Sequence, residues 1–254
     1  MALPQTPSFD LQGRKALVTG GGRGLGIGEA AALAQAGADV YVGARTFSEV
    51  EAVANDINAE GGKATPITLD VTDNASVEAA IRDHGPFQIL VNNAGTNRPA
   101  DVLDTSEEDF DYVHNLNVKS AYFVAKAVAQ SLIDAGLPGS IINISSQMGH
   151  VGGPMRSVYC STKHSVEGYT KVMAWEWAKH DIRVNTLAAT FIETAMTKST
   201  FDRPGFREFI ESRIAFGRVG QLEDIMGAVV FLASDASKLV TGSSLRVDGG
   251  WTSV

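Results

Sequence analysis

The sequence predicts an α/β protein organised around one doubly wound parallel sheet of about seven strands, with helices on both faces. Short runs rich in β-branched residues alternate with helical segments along the whole chain, as in folds whose parallel strands are joined by crossover helices. Several of these runs, KALVT and QILV among them, are apolar on both faces, which is typical of strands that helices cover on each side. No linker, internal repeat or low-complexity segment interrupts the alternation. Residues 1–254 are therefore expected to form a single domain.

Each predicted element has a local signal. The strand predictions rest on apolar, β-branched runs bounded by turn residues, at 15–19, 39–44, 63–71, 88–95, 140–145, 181–188 and 244–250. The helix predictions rest on helical composition closed by glycines or polar turns. The predicted helices are a stretch ending at Gly37, 47–62, 74–83, about 106–116, 118–135, a segment through Tyr159 to about 179, and 222–235. Residues 1–12 carry two prolines and are expected to form a loose arm. The irregular stretch 190–216 is expected to be a substrate lid.

Composition restricts the possible partners and the compartment. With 254 residues, of which 44% are hydrophobic and 20% charged, the chain can bury a large core. A net charge of −8 argues against nucleic acid or an anionic membrane as partner. The single cysteine, Cys160, excludes an internal disulfide framework, and it is interpreted as a small helix residue rather than a reactive thiol. No signal peptide or membrane-spanning run is evident, so a cytoplasmic, soluble protein without a metal site is expected.

A glycine-rich loop joins the first predicted strand to the first helix. Glycines tolerate positive φ and let a ligand approach the backbone closely, and the helix N-terminus that follows offers free N–H groups to a pyrophosphate. Because the motif directly follows an initial strand, it favours Rossmann-type dinucleotide binding over a merely tight strand–helix turn. The expected cofactor contacts in this loop are Gly20, Gly22, Arg23, Gly24, Leu25 and Gly26.

The end of the second strand predicts which dinucleotide binds. An NAD site usually has an acidic residue here that accepts a hydrogen bond from the ribose 2′-hydroxyl, but this chain has Arg45. Arg23 is expected on the other side of the same pocket, so two guanidinium groups would bind a 2′-phosphate. NADP(H) is therefore the predicted cofactor. NAD(H) is the alternative, in which Arg45 is a solvated surface charge.

A strand, a loop and a helix carry three side chains suited to one reaction. Ser146 follows the apolar run SIINIS, and Tyr159 and Lys163 stand at i and i+4 of the next predicted helix, which places them on one helical face. The ordinary pKa of a phenol is about 10. A neighbouring ammonium is expected to lower that pKa toward the range in which acid–base catalysis is efficient. The constellation predicts proton transfer at a carbon–oxygen centre that Ser146 orients.

The same Tyr-x-x-x-Lys spacing occurs a second time, at Tyr122 and Lys126 in SAYFVAKAVAQ. No strand and serine-bearing loop precede Tyr122, so this copy is interpreted as part of a packed helix.

Five motifs occur in the order known from one family. TGGGRGLG at 19–26 is similar to a T-G-x-x-x-G-x-G motif, and NNAG at 92–95 to an N-N-A-G motif. Asn117 falls at the position of a catalytic asparagine, and the distance along the chain to Tyr159 selects Ser146 over Ser145. The ending, from GRVGQLED to RVDGGW, is similar as well. In these features the chain resembles the classical short-chain dehydrogenase/reductase family (SDR family) nearly end to end.

This resemblance implies an oxidoreductase that interconverts a ketone and a secondary alcohol. Tyr159 would be the acid/base, Ser146 would hold the substrate oxygen, and Lys163 would lower the pKa of Tyr159 and bind the nicotinamide ribose. Asn117 would position a water in the proton relay. Further cofactor contacts are implied at Asp70, Val71, Asn93, Ala94, Gly95, Tyr159, Lys163, Ile192 and Thr194. Ala189-Thr190 departs from the family, which usually has Pro-Gly there, so a changed cofactor pose or affinity is expected.

Substrate contacts are expected from the 147–156 loop, from residues after Gly95 and from 195–216. The candidates are Arg98, Gln147, Met148, His150 and Arg156. Such a lining suits a sugar acid, a polyol or another small carbonyl compound, unless Arg98 and Arg156 only cap loops. The alternatives are a 3-oxoacyl thioester reductase, a non-catalytic dinucleotide-binding sensor and a structural protein.

A homotetramer is expected from the resemblance. Trp175, Trp177 and Trp251 are candidate interface anchors, because aromatic residues are enriched in interface cores. Packing in the protein's own core is the alternative for these tryptophans.

Overall fold

The sheet of the computed structural model consists of seven parallel strands. Within the described residues, which are 3–194, 197–198 and 201–254, the strands are β1 Lys15–Thr19, β2 Asp39–Ala44, β3 Lys63–Thr68, β4 Ile89–Asn92, β5 Gly139–Ile144, β6 Ile182–Ala189 and β7 Ser244–Val247. They pair in the order β3-β2-β1-β4-β5-β6-β7, each pair in parallel. The order reverses between β1 and β4, the switch point at which ligands bind in such sheets. The predicted doubly wound α/β fold is confirmed.

Helices cover both faces of this sheet. They are α1 Leu25–Gln35, α2 Phe47–Ala59, α3 Asn74–His84, α4 Glu107–His114, α5 Ala121–Ala135, α6 Ser157–Trp177, α7 Phe206–Arg213 and α8 Leu222–Ala233. Successive strand side chains point to opposite faces, so Val18 packs with α1, α2 and α8 in one apolar cluster. Its neighbour Leu17 packs with α3, α5 and α6 in another. The two clusters hold the strand ends in fixed positions.

Four strands end earlier than the sequence predicts, β5 by one residue and β3, β4 and β7 by three residues each. For β3 and β4, the residues that follow the strand form turns. Asp70 Oδ1 accepts hydrogen bonds from the backbone N–H and the hydroxyl of Thr72, at 2.9 and 2.7 Å, and β3 ends at Thr68. The backbone N–H groups of Asn93 and Ala94 donate to Thr19 Oγ1, at 3.0 and 3.1 Å, and β4 ends at Asn92.

A π-helical turn joins α4 to α5, where the sequence predicts a plain break between two helices. It spans Asn115–Ser120 and contains the buried Asn117. Such turns are rare and frequently lie at functional sites. The helix therefore changes its winding where a catalytic asparagine is expected.

The predicted lid, 190–216, combines irregular backbone with α7. Phe201, Ile210, Ile214 and Val219 form a small apolar cluster beneath it, together with Phe191 and Trp251. Residues 195, 196, 199 and 200 of the lid and residues 1 and 2 of the predicted arm lie outside the described residues. The rest of the arm is exposed up to residue 10, and Leu11 is fully buried. Across the described ranges, no helix combines the length and apolarity that a bilayer crossing requires.

Candidate active site

The glycine loop is packed too tightly for larger residues. Gly20 has φ +65°, and a Cβ there would lie 3.0 Å from Ala94 Cα. A Cβ on Gly26 would lie 2.5 Å from Gly20 O, and one on Gly22 would lie 2.8 Å from Glu49 Cβ. Gly24, at φ +61°, faces open space instead, and no side chain caps the N-terminus of α1. The backbone there remains accessible to a phosphate, as a dinucleotide requires.

Asn93 fixes this loop against the end of β4. Its Nδ2 donates to the backbone oxygens of Thr19 and Gly20, at 3.0 and 3.2 Å. Gly95 lies beside Asn117, since a Cβ on Gly95 would be 3.2 Å from Asn117 Oδ1. The segment predicted to line the cofactor therefore joins the glycine loop to the π-helical turn.

The glycine loop and the end of β2 each carry an exposed arginine. Arg23 and Arg45 are exposed, and within the described ranges neither side chain has a hydrogen-bond or ion-pair partner. The pKa of Asp70 lies below its usual value, mainly because its carboxylate accepts from the Thr72 hydroxyl, with a smaller contribution from Arg45. Val71 is buried beside it. These residues fit a nucleotide with an anionic 2′ substituent.

Ser146 lies just past the end of β5 in a buried turn. Its hydroxyl donates to Gln147 Oε1 at 2.7 Å and accepts from the Met148 N–H at 3.2 Å. Gln147 and Met148 are themselves buried. Both predicted substrate contacts therefore hold the serine in place, rather than standing free in the cleft.

Tyr159 lies in the first turn of α6, with its phenol close to Ser146. Burial raises the pKa of Tyr159 above its ordinary value, while the nearby Ser146 hydroxyl and the charge of Arg156 act to lower it. From the sequence, Lys163 is expected to lower this pKa; in the structure burial is the largest cause and raises it, and Arg156 is the cation that acts to lower it. Removal of the phenol from water outweighs both favourable contacts.

Lys163 projects from α6 toward the end of β5. Its Nζ donates to Ile144 O at 2.7 Å and lies 5.5 Å from the centroid of the Tyr159 ring. Burial lowers the pKa of Lys163 to about 8, although Glu29 and Glu167 favour its charged form. The ammonium is therefore easily deprotonated until an anion or a hydroxyl approaches it.

Both N–H donors of the Asn117 side-chain amide make hydrogen bonds within the protein. Oδ1 accepts from the Thr96 N–H at 2.8 Å, and Nδ2 donates to Thr96 O at 2.8 Å and to Thr162 Oγ1 at 3.2 Å. These bonds fasten the loop after β4 to α6. The amide has no donor left for a water molecule.

Ala189-Thr190, which stands where the family usually has Pro-Gly, lies at the end of β6. Thr190 donates its N–H to Val247 O at 3.2 Å, and its hydroxyl is buried without a partner among the described residues. Ile192 is buried and bridges to Gly220, and Thr194 is bonded to Thr197. The loop thus reaches the site, with one hydroxyl still available.

Two of the remaining predicted substrate residues have protein partners. Arg98 pairs with Asp109 and stacks on Tyr112, 4.1 Å from the ring centroid. His150 Nε2 lies 2.9 Å from Ser244 Oγ and 3.3 Å from Glu167 Oε1. Arg156 differs, because in the described parts of the chain its guanidinium has no hydrogen-bond or ion-pair partner.

Two further charged residues, Glu29 and Arg203, were not among the site residues predicted from the sequence. Glu29 in α1 is completely buried, and neither carboxyl oxygen has a partner among the described residues. Arg203 lies near Arg156, although it belongs to the lid. A charged residue within an otherwise apolar helix was the available signal for Glu29.

Comparison with known proteins identifies close relatives. Residues 20–252 match a family model described as enoyl-(acyl carrier protein) reductase. The chain is 40% identical to gluconate 5-dehydrogenase of Gluconobacter oxydans over 96% of each chain. It is 37% identical to D-erythrulose reductase of Gallus gallus, over 96% of this chain and 98% of that one.

A solved structure is similar over nearly its whole length. The gluconate 5-dehydrogenase of Burkholderia cenocepacia, in complex with NADP and tartrate, superposes with a TM-score of 0.92 at 38% identity. The match covers 97% of this chain and 98% of that chain.

Proposed function

The chain belongs to the classical short-chain dehydrogenase/reductase family, and on that premise we propose that it is an NADP(H)-dependent oxidoreductase. It interconverts a ketone and a secondary alcohol in a small polyhydroxylated substrate, either a sugar acid or a polyol. The observation that carries this proposal is that the Tyr159 phenol is buried close enough to Ser146 for that hydroxyl to lower its pKa, while Lys163 Nζ lies 5.5 Å from the centroid of the same ring. These residues lie at the same edge of the sheet as the glycine loop, where the order of the strands reverses.

The proposed chemistry divides between the cofactor and the protein. NADP(H), when bound, supplies the hydride acceptor or donor. In the oxidative direction Tyr159 accepts the proton of the substrate hydroxyl, and in the reductive direction it returns a proton to the carbonyl oxygen. Ser146 Oγ holds that oxygen against the phenol. Lys163 replenishes the proton of Tyr159 and holds the cofactor ribose.

We assign Asn117 a positioning role through the backbone. Because both N–H donors of its amide are used, a water that must accept a hydrogen bond cannot be held by them, and a relay water is expected at a backbone carbonyl of the π-helical turn. The proposed cofactor contacts are the residues predicted from the sequence. The accessible backbone of the glycine loop supports a pyrophosphate there, and the exposed Arg23 and Arg45 support a 2′-phosphate.

Charge at the end of β2 supports the choice of NADP(H). Replacement Arg45→Asp is expected to lower kcat/KM for NADP(H) by about 10- to 100-fold, because a charge-assisted phosphate contact is lost and a like charge is added. The value for NAD(H) should be unchanged or higher. Arg82→Asp, which removes an exposed arginine from α3, is the matched control. An unaltered preference in Arg45→Asp would show that NAD(H) and NADP(H) are distinguished elsewhere.

The identities of the relatives support the substrate proposal. Gluconate 5-dehydrogenase acts on a sugar acid and D-erythrulose reductase on a neutral ketose, as their names state. A panel of sugar acids, polyols, cyclic ketones and 3-oxoacyl thioesters, followed by the absorbance of reduced nicotinamide, tests the class. Turnover of thioesters alone would favour the reductase alternative. NADPH binding without any turnover would favour a sensor.

We further propose a cytoplasmic homotetramer. Trp175 is 87% exposed on α6 and is a suitable interface anchor, whereas Trp177 and Trp251 pack against apolar clusters of the same chain. Light scattering coupled to size exclusion measures the state. Trp175→Ala should reduce the mass of the assembly if this surface is used.

A further inference from the structure

The arginines around the cleft differ in whether they already have partners. Arg98 pairs with Asp109, and Arg207 pairs with Glu193 and Glu211. By contrast, no described residue makes a side-chain hydrogen bond or ion pair with Arg156 or Arg203. The lid residues outside the described ranges, at 195, 196, 199 and 200, are Ala, Met, Ser and Thr, so none of them supplies a carboxylate.

Arg156 is held close to the phenol of Tyr159. It immediately precedes α6 and stands at i, with Tyr159 at i+3. Its N–H donates to Gly153 O at 3.2 Å, and its own carbonyl accepts from the Cys160 N–H at 2.7 Å. Met155 before it adopts φ +59°, a left-handed conformation that is costly for a residue with a side chain. The backbone is thus constrained on both sides of this arginine.

The guanidinium of Arg156 is half-buried, and another cation lies near it. Burial lowers the pKa of Arg156; Tyr159 and Cys160 act in the opposite direction, and the like charge of Arg203 lowers the pKa further. A half-buried cation without a counter-ion is unfavourable, and a second cation nearby increases that cost. An anion bound between the two arginines would remove it.

We propose that Arg156 and Arg203 bind the carboxylate of the substrate and make the enzyme select sugar acids over neutral polyols. The proposal rests on the function proposed above and narrows its substrate class. Arg156 is the N-cap of α6 and precedes Tyr159 by three residues, and its charge acts on the phenol. A carboxylate bound by Arg156 would therefore belong to the same substrate molecule whose carbon–oxygen bond reacts at Tyr159.

The test compares two alcohols that differ only at one end. Gluconate and glucitol share the configuration of their hydroxyl-bearing carbons, but gluconate ends in a carboxylate and glucitol in a hydroxymethyl group. The ratio of their kcat/KM values is measured with NADP⁺ for the wild type, Arg156→Gln, Arg156→Lys and Arg203→Gln. Arg213→Gln removes the same charge from the exposed surface of α7 and serves as the control.

The expected result is a selective loss. Arg156→Gln should lower the gluconate-to-glucitol ratio by about 10- to 100-fold, the range of a charge-assisted hydrogen-bond pair. Any effect of Arg156 on the phenol of Tyr159 should change the turnover of both substrates equally and so leave this ratio unaffected. Arg156→Lys should recover part of the ratio, Arg203→Gln should lower it less, and Arg213→Gln should leave it unchanged. The dissociation constant of gluconate from the enzyme–NADPH complex, read by nucleotide fluorescence, should rise in parallel.

The contrary results are distinct from a failure of the proposed function. An unchanged ratio in Arg156→Gln, or an equal loss of both substrates, overturns the carboxylate site. A wild type that prefers glucitol also overturns it, although the oxidoreductase assignment then stands. A wild type that oxidises no alcohol and reduces no ketone overturns both proposals.

Discussion

Tyr159→Phe is expected to lower kcat by about 10²- to 10⁴-fold, the usual contribution of a positioned acid–base group. The substitution removes the phenol oxygen that is proposed to exchange a proton with the substrate oxygen beside Ser146, and it leaves the ring in place. The glycine loop is untouched, so the dissociation constant of NADPH, measured by nucleotide fluorescence, should change little. Loss of turnover with retained binding is the signature of a catalytic role.

Tyr122→Phe is the matched control for this substitution, because Tyr122 has the same spacing to a lysine. Tyr122 packs edge-on against Phe123 and Tyr169, with ring centroids 5.5 and 5.7 Å away, and Lys126 Nζ lies 5.9 Å from the Phe123 ring centroid. The Tyr122→Phe variant should retain the wild-type kcat. Undiminished turnover in Tyr159→Phe, or equal losses in the two variants, would remove Tyr159 from the reaction and favour a non-catalytic role.

The fold was largely predictable because its signals are local. Residues such as Leu17 and Val18 belong to a short apolar run between turn residues, and such a run has few alternatives to a buried parallel strand. The π-helical turn at Asn117 was not predictable. It depends on hydrogen bonds from Asn117 to Thr96 and Thr162, which are distant in the chain and meet only after folding.

The site residues were predictable in identity, but their electrostatics were not. Spacing along the chain identifies Tyr159 and Lys163, whereas the pKa of each depends on how much water the folded protein removes. The sequence suggests an ammonium acting on a phenol. In the structure, burial raises one pKa and lowers the other, and the cation that acts on the phenol is Arg156. Such effects require knowledge of the packed environment.

Glu29 gives the largest expected effect on stability. Burial raises the pKa of Glu29 from 4.5 to about 8, with Lys163 acting weakly in the opposite direction. Between these values the folded protein retains a proton that the unfolded chain has lost, so the free energy of unfolding falls as pH rises. At about 1.4 kcal/mol per pKa unit, the loss over this range approaches about 5 kcal/mol.

Glu29→Gln should abolish this decline, because the amide keeps the shape of the neutral acid and does not ionise. The free energy of unfolding in urea, measured at fixed protein concentration from pH 5 to 8, should fall in the wild type and stay nearly level in the variant. Asp224 does not contribute to this slope, because Arg218 lowers its pKa to about 2. The exposed Glu51→Gln on α2 should keep the wild-type slope. If the free energy of unfolding depends on pH equally in Glu29→Gln and in the wild type, the pKa of Glu29 is not raised in the folded protein, and the decline has another cause.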